Sequence, residues 1–166
     1  FELEVPEISQ NVVTIKSIAR EAGQRSKIAV YTDDENVDPV GACVGPKGSR
    51  IEQVVEELNG ERIDVIPWSK DPAEFIANAL RPAKVIMVQV NEEEKAAKVI
   101  VPDYQLSLAI GKEGQNARLA AKLTGYKIDI KCQSQIVDNL FGPENPEEGG
   151  DFDEASLDFE GPDFNE

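Results

Sequence analysis

Apolar side chains recur with helical spacing at two places in the chain. In the first half, one helix face is predicted from the i, i+3, i+4, i+7 spacing of Ile51, Val54, Val55 and Leu58. In the second half, smaller apolar residues form a similar face, which consists of Ala117, Leu119, Ala120, Ala121 and Leu123. Each pattern predicts a helix that turns its apolar side toward a core.

Each of these helices follows a Gly-x-x-Gly turn and a short apolar run. The turns lie at residues 44–49, with the sequence Val-Gly-Pro-Lys-Gly-Ser, and at residues 110–115, with the sequence Ile-Gly-Lys-Glu-Gly-Gln. The apolar run before each turn opens with an Asp/Pro pair, which is a helix start signal. The sequence therefore predicts two helices joined by a Gly-x-x-Gly turn, twice.

The repeat extends into predicted strands. Runs in which Ile or Val alternates with charge, at residues 61–65 and 126–130, follow a glycine that suits a helix end. Hairpins are predicted from residues 12–19 with 27–32, and from residues 85–90 with 97–101. Because the same order of elements occurs twice, about 66 residues apart, the chain contains an internal repeat.

A helix is also predicted between the two halves. Asp71, Pro72 and Glu74 form a helix start, and the apolar face that follows consists of Phe75, Ile76, Ala79 and Leu80. The connection after Trp68 is short. We therefore expect the two modules to form a stiff pair, with Trp68 and Phe75 at or near their junction.

These motifs resemble the paired KH domains of the NusA family of bacterial transcription factors. The resemblance covers about residues 1–132 and is carried by residues 44–50, 71–80 and 108–125. It implies an α+β fold of two tandem KH modules of the bacterial type, with the order helix, strand, strand, helix, Gly-x-x-Gly, helix, strand. The expected limits are residues 1–67 for the first module, with a truncated first helix, and 68–134 for the second.

The Gly-x-x-Gly turns are the candidate RNA contacts. Glycines let a phosphodiester approach the backbone, and the helix that follows offers unpaired N–H groups to a phosphate. An apolar groove beside the turns would hold the bases. The expected RNA-binding residues are Gly45, Pro46, Lys47, Gly48, Ser49, Arg50, Gly111, Lys112, Glu113, Gly114, Gln115, Asn116 and Arg118. Glu113 departs from a basic loop, which predicts weaker binding or base contact in the second module.

The resemblance also implies a function. A protein of this family would bind single-stranded RNA of the nascent transcript without catalysis or cofactor, in elongation, pausing, termination and antitermination. Its partners would be RNA polymerase, through domains missing from this chain, and other antitermination factors. Two alternatives stay open: a KH pair from a ribosomal or RNA-decay protein, and a protein-interaction adaptor whose KH folds no longer bind RNA.

Net charge changes this picture less than its value suggests. The chain has a net charge of −15, but residues 133–166 contribute 11 acidic and no basic residues, whereas residues 1–132 carry 21 acidic and 17 basic ones. A nearly neutral body can present a basic stripe to phosphates. Residues 135–166 have the composition of a disordered acidic tail, which is expected to compete with RNA for the basic residues.

Other kinds of site find little support in the sequence. The chain has no histidine, and its two cysteines lack a CxxC spacing, so zinc, redox and histidine-based chemistry are not expected. Gly41 to Ser49 does not match the spacing of a P-loop. Glu92, Glu93 and Glu94 are interpreted as a solvated turn rather than a metal site. Without a signal peptide or an apolar run near membrane-spanning length, a soluble, cytoplasmic protein without membrane contact is expected.

Overall fold

The computed structural model describes residues 1–136 and the backbone of Asp158–Phe159. The chain divides into two compact units, Phe1–Asp71 and Pro72–Glu166. This division lies shortly after the limit at residue 67 expected for the first module. The stiffness of the pair, with Trp68 and Phe75 near its junction, stays a prediction. None of the helices in the described part of the chain has the length and apolar character needed to cross a bilayer.

The first unit combines three α-helices with a three-stranded sheet. Its elements are α1 (Pro6–Ser9), β1 (Thr14–Glu21), β2 (Arg25–Tyr31), α2 (Pro39–Val44), a 3₁₀ turn (Pro46–Gly48), α3 (Ser49–Glu57) and β3 (Arg62–Pro67). The sheet has the order β1-β2-β3, with β1 antiparallel and β3 parallel to β2. The hairpin expected from residues 12–19 and 27–32 is thereby confirmed.

The second unit repeats this order with a longer first helix. Its elements are α4 (Pro72–Ala79), β4 (Met87–Asn91), β5 (Ala96–Val101), a 3₁₀ turn (Asp103–Gln105), α5 (Leu106–Ile110), a 3₁₀ turn (Lys112–Gly114), α6 (Gln115–Thr124), β6 (Lys127–Cys132) and β7 (Asp158–Phe159). The sheet has the order β4-β5-β6-β7. The α+β fold with two modules of bacterial-type element order is therefore confirmed.

The core of the first unit lies between its sheet and its helices. A cluster of buried residues fills this space, namely Val5, Ile8, Val13, Ile28, Val30 and Cys43. Ile28 and Val30 alternate along the central strand β2, as the period of two requires. Burial raises the pKa of the Cys43 thiol to about 11, so Cys43 serves as a small apolar core residue rather than a reactive thiolate.

The core of the second unit confirms both predicted apolar faces. On α4, Phe75, Ile76 and Ala79 are buried, and Leu80 is buried directly after it. On α6, all five predicted residues, Ala117 to Leu123, are buried. The small alanines of α6 allow close packing against α4, which it contacts, and against the Ile128 and Ile130 side of β6.

A buried carboxylate fixes the hairpin of the first unit. Glu61 accepts hydrogen bonds from the Arg20 guanidinium at 2.9 Å, from the Ser26 hydroxyl at 2.6 Å and from the Gly23 N–H at 2.8 Å. These donors satisfy both carboxylate oxygens. They tie the residue before β3 to β1, to β2 and to the turn between them.

The acidic tail predicted for residues 135–166 lies almost wholly outside the described residues. Within it, Asp158–Phe159 forms the short strand β7, which is antiparallel to β6. Phe159 stands opposite Ile128, and Asp158 stands opposite Asp129. The tail thus contributes one backbone-paired segment to the second sheet, which its composition alone did not predict.

Candidate nucleic-acid interface

The first Gly-x-x-Gly loop reverses the chain between α2 and α3. Three residues have positive φ: Gly45 (φ 77°, ψ 172°), Lys47 (φ 53°, ψ 29°) and Gly48 (φ 76°, ψ 13°). The Gly45 N–H donates to the Gly41 carbonyl at 2.8 Å, and the Gly48 N–H donates to the Gly45 carbonyl at 3.1 Å. The loop is therefore a defined turn, held by its own backbone hydrogen bonds.

The second loop has the same backbone shape. Gly111 (φ 81°, ψ 170°), Glu113 (φ 56°, ψ 25°) and Gly114 (φ 75°, ψ 11°) match their counterparts in the first loop within a few degrees. The hydrogen bonds recur too, from Gly111 to Ser107 at 2.8 Å and from Gly114 to Gly111 at 3.1 Å. Since the two inner residues differ between the loops, the glycines and the flanking helices set this shape.

The two glycines of a loop are needed for different reasons. A Cβ on Gly45 would lie 2.6 Å from Cγ and 2.9 Å from the backbone nitrogen of Arg50. A Cβ on Gly111 would similarly lie 2.8 Å from Cβ and from the backbone nitrogen of Asn116. A Cβ on Gly48 would meet no atom closer than 3.8 Å. The first glycine of each loop thus lets Arg50 or Asn116 pack closely against the loop backbone. Gly48 is needed only because it adopts a left-handed conformation.

Arg50 and Asn116, which occupy equivalent positions, brace the two loops from inside. Arg50 Nη1 donates to the Ala42 carbonyl at 2.7 Å and to Glu7 Oε2 at 2.9 Å. Asn116 Nδ2 donates to the Ala109 carbonyl at 2.9 Å and to the Leu80 carbonyl at 3.0 Å. Each side chain joins the start of the second helix to the last turn of the helix before it.

This bracing corrects part of the expected site. Asn116 is fully buried, so the structure does not place its side chain where RNA could reach it. Arg50 is partly buried and pairs with Glu7, so its guanidinium is already engaged by a carboxylate. Sequence reasoning assigned both to RNA because polar residues beside an exposed loop give no sign of which way they point.

The exposed part of the site is small. Pro46, Lys47 and Ser49 are exposed in the first loop, and Lys112 and Glu113 are exposed in the second. Gly45, Gly48, Gly111, Gln115 and Arg118 are partly exposed, whereas Gly114 is buried. Arg118 lies beside the second loop, where its Nη1 donates to the Glu113 carbonyl at 3.0 Å.

The loops differ in charge at both of their inner positions. Lys47 and Glu113 are both the third residue of their loop, and both have a left-handed backbone. The lysine of the second loop, Lys112, lies one residue earlier, at the position of Pro46. A phosphate that approaches this position therefore meets a cation in the first module and a carboxylate in the second.

The helices that follow the loops begin without a side-chain cap. Gly48 and Gly114 are the N-cap residues of α3 and α6, and neither has a side chain that could cap the first turn. The N–H groups at a helix start lack partners within the helix and carry the positive end of its dipole. The N–H groups of Ser49 and Gln115, the first residues of α3 and α6, already donate to the carbonyls of Pro46 and Lys112. The attraction for an anion therefore comes mainly from the positive end of each helix dipole.

Two apolar side chains on the approach to the second loop were not among the predicted site residues. Tyr104 is 77% exposed and Leu108 is 44% exposed, and they lie four residues apart on the 3₁₀ turn and α5. The available sequence signal was an aromatic residue four positions before a leucine, but the run was interpreted only as a short helix that leads into the turn. Together they place exposed apolar surface just before the second loop.

Two modules of this element order, each with an exposed Gly-x-x-Gly loop between two helices, define a tandem KH protein of the nucleic-acid-binding class. The family models agree: residues 1–68 match the NusA-like first KH domain, and residues 72–138 match the NusA-like second KH domain. The chain therefore belongs to the NusA family, of which it carries the two KH domains.

Relatives support the same assignment, and a solved structure has a similar fold. The chain is 70% identical over 134 residues to the transcription termination/antitermination protein NusA of Bacillus subtilis, covering 81% of this chain and 36% of that protein. The protein of the same name from Halalkalibacterium halodurans is 69% identical over 135 residues, covering 81% of this chain and 35% of that protein. The crystal structure of APE1850 aligns with a TM-score of 0.54 and 25% identity, covering 79% of this chain and 96% of that one. The chain spans about a third of the length of these curated relatives.

Proposed function

We propose that this chain binds single-stranded RNA through both Gly-x-x-Gly loops and performs no catalysis. The observation that carries the proposal is the near-identity of the two loop backbones, each followed by a helix with an uncapped first turn. The positive end of each helix dipole attracts a phosphodiester to this surface, where Lys47 and Lys112 are exposed. Two such surfaces on one chain suit an extended RNA strand rather than a single small anion.

The contacting residues fall into two groups in this proposal. Direct contacts come from the exposed and partly exposed loop residues and the first helical turn, namely Gly45, Pro46, Lys47, Gly48, Ser49, Gly111, Lys112, Glu113, Gln115 and Arg118. Arg50, Asn116 and the buried Gly114 hold the loops in shape. Tyr104 and Leu108 are added as contacts for a base, since aromatic side chains stack on unpaired bases in RNA-binding modules.

The biological role follows from the relatives, which are named transcription termination/antitermination proteins. We propose that the RNA is a nascent transcript and that the chain acts in elongation, pausing, termination and antitermination in the cytoplasm. RNA polymerase and other antitermination factors are the proposed partners of the chain. Its own contribution would be to hold the transcript.

An adaptor that uses its KH folds only for protein contacts is the second candidate. It is favoured by the net charge of −15 and by Glu113 at the position where the first loop has Lys47. RNA binding is favoured over this alternative by Lys47 in the first loop and by the helix starts after both loops, which have no side-chain cap. The two candidate functions differ in whether the chain binds single-stranded RNA.

Titration of a fluorescent single-stranded RNA at two salt concentrations separates them. An RNA-binding chain is expected to weaken with salt, with a slope of log K against log salt of about −0.7 for each phosphate contacted. Single-stranded DNA of the same sequence and double-stranded RNA serve as comparison ligands. Absence of RNA binding at low salt, by the parent chain and by a chain truncated after Ile136, would favour the adaptor.

A further inference from the structure

Three side chains of the first unit form an aromatic and cationic cluster at one end of its sheet. The rings of Tyr31 and Trp68 meet edge to face, with centroids 5.2 Å apart and an interplanar angle of 74°. Lys16 Nζ lies 5.1 Å from the ring centroid of Tyr31 and 4.9 Å from that of Trp68. Lys16 is exposed, and both rings are partly exposed. These three residues are called the aromatic cluster below.

The backbone of the sheet fixes the position of each member. Tyr31 is the last residue of β2, and the Trp68 N–H, directly after β3, donates to the Val30 carbonyl at 2.8 Å. Lys16 lies at a β-bulge of β1, where the register with β2 shifts. A bulge redirects the side chain of the extra residue. The strands themselves therefore bring an ammonium group and two rings together.

The second unit has the same order of elements without this cluster. Tyr31 and Trp68 each lie one residue beyond the last pair of the parallel strands β2 and β3. The corresponding residues after β5 and β6 are Pro102 and Gln133. Because the second module has the same fold without an aromatic residue at either position, the KH fold does not depend on this pair of rings.

The aromatic cluster lies at the same end of the first unit as its Gly-x-x-Gly loop. α3 starts at this loop, and after a short connection β3 runs back in the opposite direction and ends directly before Trp68. β3 contacts α3 and also α2, which leads into the loop. An RNA strand bound at the first loop can therefore extend to the aromatic cluster without crossing the length of the module.

The aromatic cluster has the chemistry that binds an unpaired nucleotide. Aromatic rings stack on every kind of base, and a cation beside them binds the backbone phosphate. Lys16 covers the rings through cation–π contacts, which are weak at exposed sites. A base that stacks on the rings displaces the ammonium group from their faces, and this group is then available to a phosphate.

The charges around the rings allow two kinds of ligand. Residues 33–35 are acidic and exposed, which would favour a basic protein segment. However, the Lys16 ammonium over both rings repels a second cation, whereas it attracts a phosphate. Asp33 accepts a hydrogen bond from the Tyr31 hydroxyl at 2.8 Å, and a carboxylate at this place can also accept from the amino group of a base. A nucleotide therefore fits the cluster better than a cation.

We propose that the aromatic cluster is a third RNA contact of this chain, where Tyr31 and Trp68 stack on an unpaired base and Lys16 binds a neighbouring phosphate. This inference rests on the proposed function, and it extends the bound strand beyond the first loop.

The first measurement uses Trp68, the only tryptophan of the chain, whose fluorescence reports on the aromatic cluster directly. The ligand is an unlabelled single-stranded RNA of mixed sequence and about 12 nucleotides, which leaves bases for the cluster beyond two KH clamps of about four nucleotides each. RNA is expected to quench Trp68 fluorescence over the same concentrations at which a labelled copy binds by anisotropy.

The second measurement compares the affinity of matched variants, whose fold is checked by circular dichroism. Tyr31→Leu removes one ring and is expected to bind about tenfold more weakly, within the range for one stacked base. Tyr31→Phe keeps the ring and should bind like the parent. Lys16→Gln should make the slope of log K against log salt shallower by about 0.7, the contribution of one phosphate contact. Lys98→Gln removes an exposed lysine from β5 and should leave the slope unchanged.

The outcomes separate the third contact from the proposed function. If RNA binds while Trp68 fluorescence stays unchanged, or if Tyr31→Leu or Lys16→Gln behaves like the parent, the third contact is overturned and the proposed function stands. Lys16→Gln decides the matter if Tyr31→Leu does not fold. Quenching of Trp68 by an oligoarginine peptide but not by RNA would assign the cluster to a protein partner and also overturn it. If no RNA binds at low salt, the proposed function fails and the third contact with it.

Discussion

The side-chain amide of Asn116 donates a 2.9 Å hydrogen bond to the Ala109 carbonyl, across the turn that binds RNA in our proposal. A second hydrogen bond, to Leu80, anchors the same amide to the end of α4. Arg50 makes the equivalent connection in the first module, to Ala42. Both loops are thus positioned by a side chain that does not itself need to touch the ligand.

Asn116→Ala is expected to destabilise the second module. The substitution removes the side-chain donor of the Ala109 and Leu80 carbonyls, of which Leu80 keeps the Ala83 N–H at 3.0 Å. A buried polar group that loses its partner costs about 1–3 kcal/mol. Urea unfolding measures the change, and Gln115→Ala, at the partly exposed neighbouring position, is the control. RNA affinity at the second loop should fall as well, because the loop loses its brace. Equal stability of Asn116→Ala and the parent would contradict the bracing role.

Carboxylates placed in either loop are expected to weaken RNA binding without unfolding the protein. The variants are Pro46→Asp with Lys47→Asp in the first loop, and Lys112→Asp with Glu113→Asp in the second. The new charges repel phosphate at exposed positions that contribute little to the core. For the first pair, a variant with Gln10→Asp and Lys70→Asp makes the same change in net charge at exposed positions outside the loops.

Anisotropy with labelled RNA measures affinity for these variants, and circular dichroism reports their fold. The first pair should cause the larger loss, because it adds two carboxylates and removes a lysine, whereas the second pair removes a lysine and adds only one carboxylate to a loop that already contains Glu113. If the control variant loses as much affinity as the loop variants, the loss is explained by net charge and not by contact between the loops and RNA. Parental affinity in both loop variants would show that the loops do not contact RNA.

Gly45→Ala is expected to be more damaging than Gly48→Ala. Alanine in the left-handed conformation of Gly48 costs about 1–2 kcal/mol. Gly45, with φ 77° and ψ 172°, lies in a region almost restricted to glycine, where strain costs about 1–3 kcal/mol. At Gly45 the new methyl group also meets Arg50 at 2.6 Å, whereas at Gly48 it meets nothing closer than 3.8 Å. Overpacking of this kind adds about 1–3 kcal/mol. Urea unfolding of the two variants gives the comparison, and equal losses would mean that the close approach at Gly45 is unimportant.

Acid is expected to weaken the first module through Glu61. Hydrogen bonds from Arg20, Ser26 and Gly23 lower the pKa of Glu61 from 4.5 to about 2. Since the pKa is lower in the folded state, the unfolded chain binds the proton first as the pH falls. The contribution of Glu61 to stability is therefore complete above pH 4.5 and is lost between pH 4.5 and about 2.

Thermal unfolding at several pH values tests this titration. The unfolding midpoint of the parent should fall more steeply across that window than the midpoint of Glu61→Gln, which cannot take up the proton. The remaining carboxylates titrate in both chains and cancel in the comparison. If the unfolding midpoints of the parent and of Glu61→Gln fall in parallel with pH, groups other than Glu61 cause the acid sensitivity.

Tyr104→Ala is expected to weaken RNA binding while stability stays close to that of the parent. The side chain is 77% exposed, so it buries little surface, whereas stacking on one base contributes about 1–3 kcal/mol to binding. Tyr104→Phe keeps the ring and should retain the affinity. Leu3→Ala removes another exposed apolar side chain, in the first unit, and should have no effect. Unchanged affinity in Tyr104→Ala would exclude base stacking at this position.

Much of the fold could be predicted from local patterns. The helical spacing of Ile51, Val54, Val55 and Leu58, the glycines of each loop and the alternation along β3 and β6 each concern residues close in sequence. Local spacing decides which backbone conformation lets apolar groups face one side. Because the whole order of elements occurs twice, each helix and strand was predicted from two separate stretches of sequence. The shared order identified the type of module.

The tertiary structure alone decided which polar residues belong to the interior. Lys27 is fully buried, with its Nζ 2.9 Å from Asp64 Oδ2 on the neighbouring strand, and burial is the main cause that lowers its pKa to about 8. Asn116 and Glu61 are buried likewise, and each has partners far away in the sequence. A polar side chain is buried in a core only when hydrogen-bond or charge partners are available to it there. Because these partners are distant in sequence, local sequence patterns do not reveal them.

The pairing of β7 is the clearest case of this division. The sequence determined a tail that is acidic and rich in glycine and proline, from which no strand could be predicted. Phe159 nevertheless stands opposite Ile128, because the folded second module offers an edge strand whose backbone groups are open. A two-residue strand has too little pattern of its own to be recognised. The sheet that receives it supplies the information, and that sheet exists only after the chain has folded.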